Sequence, residues 1–522
     1  MNFVELHTWV IILSMIHEKR KKVVFKHYDQ NQPMLLPPSL DDLVPANHPV
    51  RVVNEVIERI DIGVLELGYK GGGASSYHPR LLLKVLVYAY LRNIYSSRKI
   101  EQALQENVHF MWLAGNARPD HNTLADFRSK RLKDHLEKIF SQVVLLLVEE
   151  GAVSLREVIL DGTKIEANAN RYTFVWAKTV ERNKQRIREQ LRDVWKYVER
   201  ASAEEEQAPN EPDFEAVDPE AVTRAVRAID EELLKAEPDA KTRQRVRKLR
   251  RELPGRAAKV EAQERMLDGR RSSSKTDHDA TFMRMKEDHL GNGQLRPAYN
   301  VQLATEGHFL TGYTLTQSAG DTTALPEHVG KMIETYGTEP ESVTADAGYG
   351  SEENYAYLEK RAIKAFVKFP GFDSGKPKGK FAADNFQYDA ETDTYRCPAG
   401  HVMEFSEDRV KTTQNGRKQN VKIYRTEACG GCPMRAECSK GEGGRSIERN
   451  EEVLRHRRKA REMLESEKGV ERRKQRYEVE AVIGNIKENK KFRRFLLRGL
   501  AKVQIEIGLI AIAHNLQRLA TV

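Results

Sequence analysis

"REVILDGTKIEA", residues 156–167, is an apolar run that stops at an acid followed by glycine. Such a run reads as a buried strand delivering Asp161 at its end. "ESVTADAGYGS", residues 341–351, repeats the pattern around Asp346. Taken singly, each is also an ordinary strand-to-turn signal. Between and after them lie "PAYNVQLATEGHFLTGYTLT", two alternating runs joined across Glu306-Gly307, and the helical "TTALPEHVGKMIETYG". The helix "EENYAYLEKRAI" and the strand "KAFVKFP" complete the series. The order is strand, insertion, strand, strand, helix, strand, helix, strand, which predicts a mixed α/β sheet flanked by helices.

The chain of 522 residues exceeds what one hydrophobic core usually organises, so several structural units are expected. Lys and Arg number 86 against 77 Asp and Glu, a net charge of +9 that favours a polyanionic partner. The excess is local. From Glu471 to Lys502 there are eleven basic and four acidic residues, a candidate phosphate-contacting surface. Near the start, "WVIILSMI" is too short to span a bilayer and has the reverse of a signal peptide's charge order. No membrane association is expected, and residues 1–25 read as a poorly constrained leader.

Residues 26–150 are helical in pattern. "HPRLLLKVLVYAYLRN" is apolar nearly all round and predicts a buried helix, and "SSRKIEQALQEN" opens on serines suited to an N-cap. In "PDHNTLADFRSKR", Thr123 and Asp126 have capping-box spacing, with Arg128, Lys130 and Arg131 beyond them. A short helix, a turn and a basic helix resemble a helix-turn-helix DNA reader, which makes Arg128 a candidate phosphate contact. After the first strand (151–177), residues 178–271 become charged and helix-forming, broken by "AEEEQAPNEPDFEAVDPE". This predicts a helical hairpin insertion. The sheet resumes over 272–375, a Cys-rich insertion fills 376–447, and helices close the chain over 448–522.

The closing segment holds an acid among cations: "RYEVEAVIGNIKENKKFRRF", residues 476–495. Glu480 has Arg476, Lys487, Lys490, Lys491, Arg493 and Arg494 for company. One reading is a solvated glutamate balancing a basic helix. The other follows from helical geometry, which puts Arg476 and Lys487 within about 40 degrees of Glu480, on the shoulder of an apolar face formed by Val479, Ile483 and Ile486. Glu480 then leans toward a sheet beneath it. Two strand-end acids and one helix acid make chemical sense around two Mg²⁺ or Mn²⁺ ions, which prefer oxygen ligands and serve phosphoryl transfer. The surrounding cations would then hold DNA phosphates rather than neutralise the acids. Asp277 and Asp279 in "KTDHDA" are read as turn or supporting residues, and Asn300 and Gln302 as groups that orient DNA or water, or equally as a strand's polar face.

Three motifs carry a resemblance: "ILDGTKIEANAN", "VTADAGYGS", and the spacing of Arg476, Glu480 and Lys487. The chain resembles bacterial insertion-sequence transposases of the DDE class, and "AYNVQLA", "AHNLQRL" and the N-terminal helical stretch extend the likeness from about Phe25 to the end. The family's last motif usually carries Tyr three residues before the arginine, where this chain has Arg473. The resemblance implies a ribonuclease H-like sheet with Asp161, Asp346 and Glu480 as metal-binding catalytic residues. It also implies cleavage at terminal inverted repeats, strand transfer to a target, and a homodimer on double-stranded DNA in the bacterial cytoplasm or nucleoid. A DNA-binding descendant without chemistry and a nuclease that cuts without joining are the alternatives.

All four cysteines fall within 42 residues: Cys397, Cys429, Cys432 and Cys438. Four cysteines, none in the first three quarters of the chain, argue against a secreted disulfide framework, and their spacing fits a structural, tetrahedral Zn²⁺ site, with His401 as a substitute ligand. Four unpaired thiols in a small insertion fit it as well.

Overall fold

The computed structural model describes residues 39–69, 76–201, 210–235, 239–285, 293–373, 379–413, 417–439, 441 and 443–521. The expected leader lies outside them, as does part of the break after Ala201. Residues 39–45 belong to a short unit of their own, ending at Pro45, in which Ser39 Oγ donates to Asp42 Oδ2 at 2.7 Å.

From Ala46 onward the chain forms a second unit. Helices open it, among them α1 (Pro49–Arg59), α2 (Pro79–Leu91), α3 (Ser97–Glu106), α4 (His121–Asp126) and α5 (Leu136–Glu149). Proline at the first position and a histidine cap begin both α1 and α2, where fixed φ and a missing N–H cost nothing. Buried on nearly every side, as its all-round apolar pattern predicts, α2 lies at the centre of this group. Asp120, not Thr123, caps α4, its Oδ1 accepting from Thr123 N at 2.7 Å. Beyond Asp126 the chain does not continue as a basic α-helix but makes a π-turn over Phe127–Arg131.

Strand β1 (Glu157–Glu166) is the axis of the main sheet. It is followed by β2 (Phe174–Trp176), three helices, β3 (Ser272–Ser274), β4 (Thr281–Arg284), β5 (Leu295–Glu306) and β6 (Phe309–Thr316). Then come α9 (Ala324–Tyr336), β7 (Ser342–Ala345), α10 (Glu352–Lys360) and β8 (Lys364–Val367). The order is β4-β5-β1-β7-β8, with β6 on β5 beside β4. Strands β5 and β1 are antiparallel, while β1, β7 and β8 run parallel. This arrangement, with helices on its faces, is consistent with the expected ribonuclease H-like sheet. The β5–β6 turn puts both Gly307 and His308 at positive φ, 58° and 65°, the geometry that matches a two-residue turn to strand twist.

The insertion between β2 and β3 is three helices rather than a hairpin: α6 (Ala177–Ala201), α7 (Pro219–Lys235) and α8 (Ala240–Leu267). What read as one arm is divided because Asp239 starts a new helix, accepting from Thr242 N at 2.6 Å. The three share a core that includes Leu191, Trp195, Ile229, Leu253 and Val260. The Cys-rich insertion is a second sheet, β9 (Gln387–Asp389), β10 (Thr394–Arg396), β11 (Val402–Thr412), β12 (Lys418–Arg425) and β13 (Ile447–Arg449), paired in sequence order.

Four helices close the chain: α11 (Glu451–Glu465), α12 (Glu467–Gln475), α13 (Tyr477–Gly484) and α14 (Leu500–Leu519). Buried from Ile505 to Leu516, α14 packs against α2, α5 and β6. The "AHNLQRL" stretch lies here and is structural. Asn515 exchanges two 2.8 Å hydrogen bonds with the backbone of Leu310, and His514 meets His308 O at 3.0 Å.

Candidate active site

Asp161 lies within β1, not at its end. The strand runs on to Glu166, while its parallel neighbour β7 stops at Ala345, opposite Leu160. Asp161 therefore faces the step where β7 gives out, and Asp346 follows immediately on the other side of that step. Asp161 is 6% exposed. Asp346 caps a short 3-10 turn, its Oδ1 accepting from Gly348 N at 2.8 Å.

Gly162 does not make a turn. It pairs with Gln302 on β5, and a Cβ there would strike Asp321 Oδ1 and lie 2.7 Å from Gln302 Nε2. Asp321, in the loop before α9, is an acid that the sequence reading passed over. Its Oδ1 accepts from Asn300 Nδ2 at 2.7 Å and Gln302 Nε2 at 2.8 Å. Its other oxygen lies toward Gly348, the residue that binds Asp346. Tyr349 fixes the amide's direction, because its hydroxyl donates to Gln302 Oε1 and leaves Nε2 for Asp321. Burial first, then the charges of Asp321, Asp161 and Asp346, push the Tyr349 hydroxyl well above the usual tyrosine range, so it remains a donor. Asn300 and Gln302 are thus orienting groups for a carboxylate.

Glu480 reaches the site through an arginine. Arg476 sits at the junction of α12 and α13, and α13 packs across β1 and β5. Its guanidinium lies 3.8 Å from Asp161 Oδ2 and donates to Glu480 Oε1 at 2.5 Å. The Glu480 side chain is 53% exposed. The expectation that the cations leave the acids alone is therefore corrected for Arg476, which neutralises both. Arg473, in place of the expected tyrosine, has its guanidinium carbon 5.4 Å from the ring centroid of Phe372.

Several candidate phosphate contacts turn inward. Arg128 is 5% exposed and donates to Tyr95 O at 2.6 Å and Tyr90 Oη at 3.2 Å. Lys490 is 2% exposed, donates to Gln517 Oε1 at 2.6 Å, and is lowered by burial to a pKa of about 8. Lys487 is buried, because α13 gives way to a π-turn over Asn485–Asn489 and the stripe extrapolated from Glu480 ends. Arg128 and Lys490 spend their donors on groups inside the fold. Arg494 is exposed but reaches the carbonyls of Ala167 and Ala169, and Arg493 pairs with Glu488. Lys491 is exposed, at φ 54°. Asp277 accepts from Tyr299 Oη at 2.9 Å and Gly499 N at 3.1 Å, and Asp279 from Leu500 N at 2.8 Å. Both serve the start of α14, where an acid is favoured by the helix dipole.

Among the described residues, no three His, Cys, Asp or Glu side chains stand in a ready-made metal-binding arrangement. The donor chemistry at Asp161, Asp346 and Asp321 is nonetheless all carboxylate oxygen, which suits a hard divalent cation. In the second sheet the four free cysteines line one apolar pocket together with His401. Burial raises the Cys438 thiol, and Cys429, Cys397 and Cys432 are near enough to raise it further. Four thiols in one pocket suit zinc.

Two family models match the chain. A transposase DDE domain matches residues 396–520, and a transposase domain matches residues 38–130. The first spans the four cysteines, Arg476 and Glu480, and stops short of Asp161 and Asp346. No curated protein and no solved structure matches.

Proposed function

We propose that this chain, an insertion-sequence transposase of the DDE class by its two matched domains, binds the terminal inverted repeats of its element, cuts DNA there and joins the freed end to a target. The observation that carries the reading is the meeting of Asp161 and Asp346 at the step between β1 and β7, with Glu480 one guanidinium away. Acids so placed repel one another, and the fold holds them by packing, by Arg476, and by amide and backbone donors. Such an arrangement is organised for something other than stability.

Asp161, Asp346 and Glu480 would hold two Mg²⁺ or Mn²⁺ ions. Such ions would supply Lewis-acid chemistry for phosphoryl transfer, at the attacking and the leaving oxygen of a phosphate. The chain's own residues supply the frame. Asp161 is fixed by its strand, Asp346 by the 3-10 turn, and Arg476 keeps Glu480 facing β1 until a phosphate competes for the guanidinium. Lys491 and Arg493, both exposed, are the residues of this segment best placed to meet a DNA backbone. The Cys397, Cys429, Cys432 and Cys438 cluster would hold a structural zinc, and two ends brought together call for a dimer on DNA. No described helix is long and apolar enough to cross a membrane.

The test is an incubation of the protein with labelled DNA carrying its element's ends, a divalent ion and a target plasmid. Cleavage with joining supports the proposal. Cleavage alone points to a nuclease, and binding alone to a DNA-binding protein that has lost its chemistry.

A further inference from the structure

The most one-sided charge in the molecule lies outside the candidate active site, on α8. Between Ala240 and Lys259 that helix carries nine Lys or Arg against a single acid, Glu252. The cations fall into two groups. With Val246 at zero and 100 degrees per residue, the buried Leu253, Ala257 and Val260 fall within about 40 degrees of it and mark the inner face. Arg250 and Arg245, on the flanks, turn to the neighbouring helices and meet Asp230 of α7 at 3.2 Å and Asp193 of α6 at 3.9 Å. Lys241, Arg247, Lys248, Arg251 and Lys259 fall between about 100 and 220 degrees, on the outward face, and all are exposed. No acid lies within that arc; Glu252, at about 240 degrees, stands at its edge.

Among the described residues, Lys241, Arg247, Lys248 and Lys259 make no ion pair, and Arg251 meets only its neighbour Glu252, at 3.2 Å. Arg247 and Arg251 are like charges four residues apart, and Lys248 and Arg251 three apart, spacings that weaken a helix. Elsewhere the same insertion uses opposite pairs at that spacing, Glu220 with Arg224 and Glu261 with Arg265. A solvated helix gains nothing from an acid-free stripe. A polyanion does, because each phosphate neutralised releases counterions. From Lys241 to Lys259 the stripe is about 27 Å long at 1.5 Å per residue, roughly the axial length of eight base pairs of duplex at 3.4 Å each.

We propose that the outward face of α8 is a second DNA-binding surface, which grips the phosphate backbone of duplex DNA without reading sequence. The inference rests on the reading of the chain as a transposase acting on DNA, and adds to it a surface in the three-helix insertion. Its fixed, linear array of cations suits a regular duplex better than a flexible acidic peptide.

The test compares the full-length protein with K241Q/R247Q/K248Q/R251Q, using fluorescence anisotropy of a labelled random-sequence duplex across a NaCl series. Each lost phosphate contact lowers the slope of log affinity against log salt by about 0.9, so the variant's slope falls by about 2 to 4. A control, K178Q/R182Q/R186Q/K196Q, removes four exposed cations from α6 and keeps the wild-type slope. Cleavage at saturating DNA and low salt is unchanged in the α8 variant. Its melting temperature holds or rises, since the one ion pair lost, Arg251 with Glu252, is exposed and worth little, while the like-charge repulsion along the stripe is removed. An unchanged slope in the α8 variant overturns the inference, as does an equal fall in the control, or weaker binding of labelled polyglutamate with none for DNA. A wild-type protein that binds no duplex at all instead overturns the reading of the chain as a DNA enzyme.

Discussion

The carboxylate of Asp321 occupies the space that a side chain on Gly162 would need. The glycine after the first candidate acid is thus explained by an acid 159 residues later, delivered from a loop on the far side of a hairpin. Gly162→Ala has to push Asp321 and Gln302 aside, and overpacking of this kind costs about 1–3 kcal/mol. In urea titrations the single variant loses stability of that order. Adding Asp321→Ala returns part of the loss, because the two changes meet at one contact. Independent, additive losses would show that the crowding is relieved elsewhere.

Asp321 bears on the chemistry as well. Asp161→Asn, Asp346→Asn and Glu480→Gln are each expected to abolish strand cleavage and leave binding of the element's ends largely intact. Asp321→Asn keeps the shape but loses the charge that Asn300 and Gln302 align. It lowers cleavage by about 10²-fold, the order seen when one preorganised electrostatic contact is removed. Gel assays with end-labelled DNA separate the two effects. Equal loss of binding and cleavage in Glu480→Gln would make that residue structural.

Arg476 stands where charges compete. With its guanidinium 3.8 Å from Asp161 and bonded to Glu480, it opposes a divalent cation at the same carboxylates. Arg476→Gln therefore binds Mn²⁺ more tightly and DNA more weakly, readable by electron paramagnetic resonance titration and by anisotropy. A variant with weaker Mn²⁺ binding would show that Arg476 organises the acids rather than guards them.

Lys490 gives a pH dependence of definite sign. Its folded pKa, about 8, lies below the ordinary value of 10.5 because burial disfavours the charge. Between those values the unfolded chain binds more protons than the folded one, so this residue's contribution to stability rises with pH. Below about pH 8 its cost is present in full, about 3 kcal/mol from the size of the shift. Lys490→Met flattens the stability profile between pH 8 and 10 and leaves the salt slope of DNA binding unchanged. A reduced slope would return Lys490 to the DNA surface.

A chelator strong enough to strip zinc should loosen the second sheet alone. Hydrogen exchange is expected to rise over β9 to β13 and to stay at its original level in β1 and β7. Equal loss in both sheets would argue that the module is no separate insertion.

The strands and their acids were legible because a buried strand writes its signal locally, in consecutive apolar residues; the apolar run marked where Asp346 ends β7 but misplaced the end of β1, which continues five residues past Asp161 to Glu166. Asp161 and Asp346 could be found that way, and Arg476 with Glu480 by their four-residue spacing. Asp321 could not. An acid just before a helix reads as a cap, yet Asp321 gives its side chain to the sheet, and only the pairing of β1 with β5 shows where that carboxylate goes. The basic segment misled for the opposite reason. Counting charge treats every lysine as solvated, while Lys490 and Arg128 find carbonyl, hydroxyl and amide acceptors inside the fold. Lys487 was placed on a straight helix that in fact passes into a π-turn.

Strands β2 and β3 pair Phe174 with Ser274 and Trp176 with Ser272, so the chain leaves the sheet and comes back through the same two-stranded gate. Phe174 and Trp176 also pack edge-on and tilted against Phe282 of the next strand. Everything between is hung on that gate, and closing a longer loop costs little more than closing a short one. The sheet that holds the acids is therefore indifferent to how much chain passes through it there. Helices can be lengthened, recharged or exchanged in that place while Asp161 and Asp346 stay in register, which would leave the proposed grip on DNA free to vary apart from the proposed chemistry.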